Sequence, residues 1–525
     1  MADARHLGRS VLTVTGSRIL GLVFTLVQVK LATNYLGATR YGYLTTATLF
    51  IGLMGSWADL GMGQVVVRRV SGQGAGLRRQ VGLLQAVTFI FLVPVAILTN
   101  ALALLLYRDT PAVVLGIAML TVGLAATAWA TSLNAVAQVS GRFGHFAASD
   151  LVGRVVALGI ILLTIWLDAG LVWFFVAQLV IPLGQLAAML LLARSEGGFR
   201  PIFHRDCWHL VKETLPLTWI MLVAVLYFNV DGIMLSKLST FEQAGAYALG
   251  YKLLSNLTII SSSLATVMNS RLATEAAHDG EAFRATLGRL IGIISLVALP
   301  LSTLVWPVAA DLVRFVGSEE MVPIAAGPLS FISVSIAIGM VTGIVSTALV
   351  ASHQQGFLTK LNTVTFTLNV ALNLLLIPRL AATGAAIALV VSEGLGLLAC
   401  AVLLRRRFDR VVPWDTLGRI VLSCGVTLLA ESFLLGGLHW LVRLVLVGAI
   451  YVLMVFLTRA VRVRSLLEMR GARAEAPADP PVRPDGRPST ITPEPMTRAQ
   501  WRAMQEAQRK RRLHRTDYTP RHRQP

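Results

Sequence analysis

The chain has 525 residues, of which 55% are apolar and 14% charged, and its mean hydropathy is +0.69. A soluble protein of this length does not reach such values, so the composition excludes an ordinary soluble enzyme and points to a polytopic membrane protein. The formal charge of +19 is no argument for nucleic acid. From Arg459 onward sixteen Lys and Arg outnumber seven Asp and Glu, and most of the remaining excess lies in loops between apolar stretches. Membrane topology and attraction to anionic lipid account for both sets.

A membrane-crossing helix needs about 20 apolar residues. Fourteen such spans are expected, starting near Ser10, Tyr41, Val81, Pro111, Ala147, Leu171, Glu213, Gly245, Ala285, Met321, Phe357, Ala382, Gly418 and Leu438. The first six, from Ser10 to about Ala193, repeat as the next six, from about Leu215 to Leu404. Leu36-Gly37-Ala38-Thr39-Arg40-Tyr41-Gly42-Tyr43 corresponds to the stretch from Leu238 to Tyr247, and Gln138-Val139-Ser140-Gly141-Arg142-Phe143 to Ser352-His353-Gln354-Gln355-Gly356-Phe357. The expected fold is therefore an all-α membrane protein of two six-helix repeats, residues 1–200 and 201–405. A helix pair at 406–461 and a basic, largely disordered tail at 462–525 follow. Paired repeats of this kind build alternating-access carriers with the substrate site between them.

Alternate loops carry twenty and six Lys or Arg, which puts the richer set and both termini in the cytoplasm. No small-residue cleavage site follows the first span, so no cleaved signal is expected. Beyond Arg470 the chain turns rich in Pro, Ala and charge and reads as a tether. Within it, Thr497-Arg498-Ala499-Gln500 has capping-box spacing, and Trp501 and Met504 then share one face of a basic stretch, either a surface helix or a solvated tail.

Polar groups at bilayer depth cost several kcal/mol unless they are paired or face water, so each one is a functional candidate. Span one carries Arg18, Gly21, Thr25 and Gln28 on one face; span two carries Thr45, Thr48, Gly52, Gly55 and Asp59; span four carries Thr127, Thr131, Asn134 and Gln138. The second repeat answers with Asn229 and Asp231 in span seven, Lys252, Asn256 and Ser263 in span eight, and Ser335, Gly339, Thr342 and Ser346 in span ten. A hydrated cavity lined by these six spans is expected, although Gly, Ser and Thr stripes equally serve close helix packing. Arg18, Gln28, Asn134, Asn229, Lys252 and Asn256 are the candidate substrate contacts. Asp59 and Asp231 are candidates either for pairing with the cations or for holding a coupling cation or proton.

Arg154 and Glu393 are expected to form inter-helix pairs, Lys30 and Glu431 to snorkel at span ends, and Arg271 to fix topology. Gly42 and Gly245 are read as opening helices after short turns. Pro216 and Pro300 are read as bending or breaking theirs. The cysteines Cys207, Cys400 and Cys424 have no CxxC spacing, and no Walker A, HExxH or GxSxG element occurs, so neither a metal, a cofactor nor an ATPase or hydrolase is indicated.

Leu36-Gly37, Tyr41-Gly42-Tyr43 and Asp59-Leu60-Gly61 before Arg68-Arg69, together with Leu215-Pro216, Asp231 and Gly245-Ala246-Tyr247, resemble the polysaccharide-exporting (Wzx-type) lipid-linked oligosaccharide flippases. These belong to the multidrug/oligosaccharidyl-lipid/polysaccharide (MOP) exporter superfamily. The resemblance covers about residues 8–404. It implies a V-shaped pair of lobes in a bacterial plasma membrane, moving a polyprenyl-diphosphate-linked glycan outward among membrane lipids, with no enzymatic step. Within that superfamily a cation-coupled multidrug antiporter and a lipid II flippase are the alternatives; a membrane-embedded glycan transferase is the alternative from outside it. Removal of residues 470–525 is expected to leave transport intact, measured by complementation with the truncated chain.

Overall fold

The computed structural model describes residues 2–460 apart from 60–61, 74–75, 140–142, 196–199, 409–410 and 436–438; for several helical residues, among them 2–19, 58–59 and 215–224, it describes the backbone alone. The tail, with its Thr497 capping box, lies outside the described residues.

Fourteen α-helices occur among the described residues, and they do not map one to one onto the expected spans. They are α1 (Ala2–Asp59), α2 (Met62–Gln73), α3 (Leu77–Leu106), α4 (Pro111–Val139), α5 (Phe143–Trp166), α6 (Val172–Ser195), α7 (Asp206–Leu238), α8 (Phe241–Ser255), α9 (Thr258–His278), α10 (Gly280–Val316), α11 (Val322–Ala351), α12 (Gln355–Phe408), α13 (Trp414–Ala430) and α14 (Trp440–Leu457). Ten are long and apolar enough to cross a bilayer.

Helix α1 has 58 residues, about 87 Å if straight, twice the thickness of a membrane with its headgroups. The chain therefore turns inside it, at Gly37, with φ 70° and ψ 179°. That conformation is essentially restricted to glycine. Helix α12 does the same at Ala381, with φ 50° and ψ −132°. Each of these two helices thus carries two expected spans. Expected span eight is instead divided, since α8 ends at Ser255 and α9 begins at Thr258. Pro216 and Pro300 correct the sequence reading: both lie inside unbroken helices, α7 and α10. The break falls at Asn256-Leu257, where short backbone bonds such as Leu257 N to Leu254 O (3.0 Å) replace the helical ladder.

The first half packs as α5 on α6, α6 on α4 and α4 on α3; the second as α10 on α11 and α11 on α12, with α7 against α12. Helix α1 touches both halves, packing on α4 and α5 on one side and on α7 and α8 on the other. Between apolar helices in lipid there is little hydrophobic driving force, so close backbone approach has to supply the attraction. Gly42 supplies it. A methyl placed there would sit 2.0 Å from the Phe241 carbonyl oxygen, and one at Gly245 would lie 3.2 Å from Gly42 Cα. The two glycines thus serve close packing, not the opening of a helix, and they occupy corresponding places in the repeat.

Around this crossing the halves are clasped. Thr39 donates to Glu242 at 2.5 Å, the Ala38 amide to Glu320 at 3.3 Å, and Tyr43 meets Phe241 edge-on with centroids 4.8 Å apart. Lys30, far from merely snorkelling, donates to the carbonyls of Arg314 (2.7 Å) and Gly317 (2.6 Å) at the C-terminus of α10. Its counterpart Lys237 donates to Leu106 O at the C-terminus of α3 and lies 4.2 Å over the Tyr107 ring. Each half's first helix thus caps the third long helix of the other, contacts that complement the helix dipole by roughly 0.3–1 kcal/mol each. The opposite end is held by Arg69 with Glu213, by Arg79 with Asp206 at 2.5 Å, and by an apolar cluster of Val65, Val66, Leu84, Met189 and Leu210. Beyond the repeat, Glu431 is buried and paired with Arg443 at 3.4 Å, and Arg443 also reaches Asp311 on α10 at 3.3 Å.

Gly42→Leu is expected to destabilise the fold by about 3 kcal/mol or more through overpacking, whereas Gly55→Ala, whose added methyl meets nothing within 4 Å, should be nearly neutral. Thermal unfolding in detergent followed by tryptophan fluorescence distinguishes them.

Candidate functional site

The second part of α1 runs from the Gly42 crossing along α7 and α8. Its polar face looks at them. Thr45, Thr48 and Leu49 enclose a void of about 50 Å³ with Gly232, Tyr247, Ala248, Tyr251 and Lys252. The threonine hydroxyls are bonded to their own helix, Thr45 to Tyr41 O and Thr48 to Leu44 O. Gly52 leaves room for Asn229, whose Oδ1 would be 3.3 Å from a methyl at that position. The Asn229 amide donates to Val225 O at 2.8 Å.

Lys252 is half-buried on α8 and forms no ion pair among the described residues. Arg154 lies on α5 in the first half. Among the described residues it does not form the inter-helix ion pair expected from sequence. Its carboxylate partner is on its own helix, Asp150 one turn away (2.8 Å), and its other contact is a hydroxyl, Thr25 of α1, at 2.6 Å. Gln185 of α6 in turn donates to Asp150 at 2.9 Å. Arg154 is therefore a positioned cation against α1, the helix that touches both halves, and sequence reasoning placed it outside the site.

Several candidates are spent on packing. Gln28 is buried and donates to Arg154 O at 3.0 Å, tying α1 to α5. Asn256, exposed at the α8–α9 break, donates to Lys252 O at 3.1 Å and so holds the backbone beside the lysine. Asn134 is half-buried on α4, next to the apolar cluster at the Arg69 end. The side chains of Arg18 and Asp59 lie outside the described residues, although both belong to the backbone of α1. Helix α9, below the break, exposes Ser262, Ser263, Thr266, Asn269 and Ser270. Such a face is suited to water and not to lipid. Arg271 continues it and pairs with Glu275 at 2.7 Å.

Asp231 is fully buried, and its partners are neutral, not cationic. Tyr247 donates to Oδ2 at 2.8 Å and Asn373 to Oδ1 at 2.7 Å. The second hydrogen of the Asn373 amide goes to Asn369 Oδ1 at 3.0 Å. Asn373 Oδ1 and Asn369 Nδ2 have no hydrogen-bond partner among the described residues. This cluster of α7, α8 and α12 was only partly legible, yet Asn369 and Asn373 stand four apart in an apolar run, the same signal that drew attention to Asn229 and Lys252. Glu393, also expected in an ion pair, has no cationic partner among the described residues and lines a separate cavity with Tyr227.

The apolar helices and their packing define a multi-pass membrane protein. Among solved structures, the chain is similar to the lipid II flippase MurJ in an inward closed conformation, at 13% identity and a TM-score of 0.69, covering 87% of this chain and 99% of that one. It is similar to an inward-facing multidrug resistance MATE family transporter, at 12% identity and 0.56, covering 75% and 94%. A third likeness is to a MOP superfamily transporter from Pyrococcus furiosus described as having a binding pocket of reversed polarity, at 13% identity and 0.54, covering 77% and 95%. No curated protein sequence matches it significantly. Residues 35–326 match the polysaccharide biosynthesis protein family, and the chain belongs to that family.

Asn373→Ala is expected to lower stability by about 2 kcal/mol, because it strips a buried carboxylate of one of its two donors. Asn362→Ala, on the exposed face of the same helix, should change it by less than about 0.5 kcal/mol. Denaturant or thermal unfolding of the purified variants checks both.

Proposed function

We propose that the protein flips a polyprenyl-diphosphate-linked oligosaccharide from the inner to the outer leaflet for surface polysaccharide synthesis, without an enzymatic step. In this reading residues 1–200 and 201–405 are the two moving units, and they rock about the Gly42–Gly245 crossing. The membrane is the bacterial plasma membrane, with both termini and the arginine-rich loops in the cytoplasm. The observation that carries the reading is the placement of a cation in each half against α1, the helix that touches both: Lys252 on the void between α1, α7 and α8, and Arg154 held by Asp150 and Thr25 on the other side. Two cations drawn from different halves attract an anion, and a diphosphate has the charge and the acceptor oxygens for that place. Arg18, a substrate-contact candidate from the sequence, is assigned a third positive charge for the same cargo in this reading. The polar face of α9 suits the glycan, while the lipid tail stays in the bilayer.

The buried Asp231 supports a second part of the reading. A carboxylate held by neutral donors, beside the unpartnered Asn373 Oδ1, has the means to hold a coupling cation or proton. A drug antiporter of the same superfamily would use that carboxylate too, but its cargo would meet an anionic seam. A lipid II flippase would share the diphosphate chemistry and differ in the glycan.

In a strain unable to flip its surface-glycan precursor, Lys252→Ala and Arg18→Ala are each expected to cut complementation at least tenfold, while Lys252→Arg retains most of it. Full activity of both alanine variants at normal expression would overturn the assignment of the cations. Transport of cationic drugs with no effect on glycan export would favour the antiporter.

A further inference from the structure

Residues 200–213, which carry the chain from the first half into α7, hold charge that neither the seam nor the Asp231 cluster uses. Helix α7 has 33 residues and is about 50 Å long, against about 30 Å for the hydrocarbon core of a bilayer. The excess falls where charge is dense, in the first two turns. The acidic residues there are both spent on the first half, Asp206 on Arg79 at 2.5 Å and Glu213 on Arg69. The cations are not spent. Arg205, His209 and Lys212 are exposed and have no carboxylate partner among the described residues.

These cations share one face. Arg205 has helical backbone angles (φ −57°, ψ −25°) and continues the first turn backwards, so Arg205, Trp208, His209 and Lys212 stand at steps of three and four. The opposite face, made of Cys207, Leu210, Val211 and Thr214, is buried. Trp208 is 60% exposed, and Lys212 Nζ lies 5.6 Å from its ring centroid. The segment ahead of the helix is fixed on α3, where the Ile202 amide donates to Gly82 O at 2.9 Å. From there a line of rings leads along the membrane spans. Phe203, 63% exposed, meets Phe89 edge-on with centroids 6.3 Å apart, and Phe89 meets Trp129 of α4 in the same way at 6.5 Å. Phe89 stands two turns along α3 from Gly82, on its exposed side.

A soluble acidic partner would match the cations and leave the rings without a use, and a neutral lipid would do the reverse. Cations beside amphipathic rings at the end of a span suit the headgroup layer, and the rings on α3 and α4 continue into the acyl region. We infer that residues 200–212 form a docking surface for an anionic glycerophospholipid, its phosphate on Arg205, His209 and Lys212 and its chains against Phe203 and Trp208. The bound lipid holds this connection at the membrane surface and leaves Asp206 and Glu213 to their arginines. The inference does not depend on what the protein carries.

Native mass spectrometry of the purified full-length protein, with phosphatidylglycerol or phosphatidylcholine of the same chains added to the detergent, counts bound lipids and gives their affinities. One phosphatidylglycerol is expected to bind about tenfold more tightly than phosphatidylcholine. That preference is expected to vanish in Arg205→Gln/Lys212→Gln and to persist in Arg405→Gln/Arg406→Gln, which removes the same charge from the exposed end of α12. Phe203→Ser is expected to weaken both lipids, and glycerol phosphate, the headgroup without chains, is expected not to compete. Equal affinity of the wild type for the two lipids, equal loss in the two double variants, unchanged binding in Phe203→Ser, or displacement of the lipid by glycerol phosphate would each overturn the proposal.

Discussion

Backbone contact between α1 and α8 at Gly42 and Gly245 is the constraint on which the rest of the molecule depends. Helices in lipid attract one another through contact and not by expelling water, so the closest approach sets where two bundles join. Here that approach is made by the equivalent residue of each repeat, which places the join on the internal symmetry of the chain. From that one crossing the second part of α1 is led down the face of α7 and α8. The polar void with Lys252 follows from the path it takes.

The two polar systems that result obey different rules. At the seam the charged groups come from different halves, so any movement between halves changes their separation. Inside the second half the carboxylates of Asp231 and Glu393 are surrounded by one bundle, and their surroundings persist when the halves move as bodies. A group that contacts cargo belongs in the first setting, and one that keeps hold of an ion through a cycle belongs in the second. Helix α7 is common to both, since it packs on α1 and on α12.

Much of this was legible in the sequence because hydropathy and repetition are carried by many residues at once. The all-helical class, the membrane spans and the paired loops at Gly37 and Thr240 rest on such redundant signals. What remained hidden depends on single partners. Arg154 read as one half of an inter-helix pair, whereas its carboxylate, Asp150, stands on the same helix and the guanidinium reaches the neighbouring helix only through the Thr25 hydroxyl. Pro216 and Pro300 read as bends or breaks, and neither interrupts its helix, since a long membrane helix absorbs proline when its neighbours satisfy the freed backbone groups. The real break, at Asn256, contains no proline and no glycine. Gly42 was correctly singled out for the wrong property: its position in the chain suggested backbone freedom, and only the approach of Phe241 reveals the need for an absent side chain.

The reciprocal lysine caps have a consequence for how this protein can be read from its relatives. Lys30 and Lys237 grip main-chain carbonyls at the ends of α10 and α3, and a carbonyl is the same whichever residue carries it. The residues at those helix ends are free to drift without loosening the grip. A search for positions that change in concert would pass over the two ties that join the halves, since only one side of each tie has a letter to change.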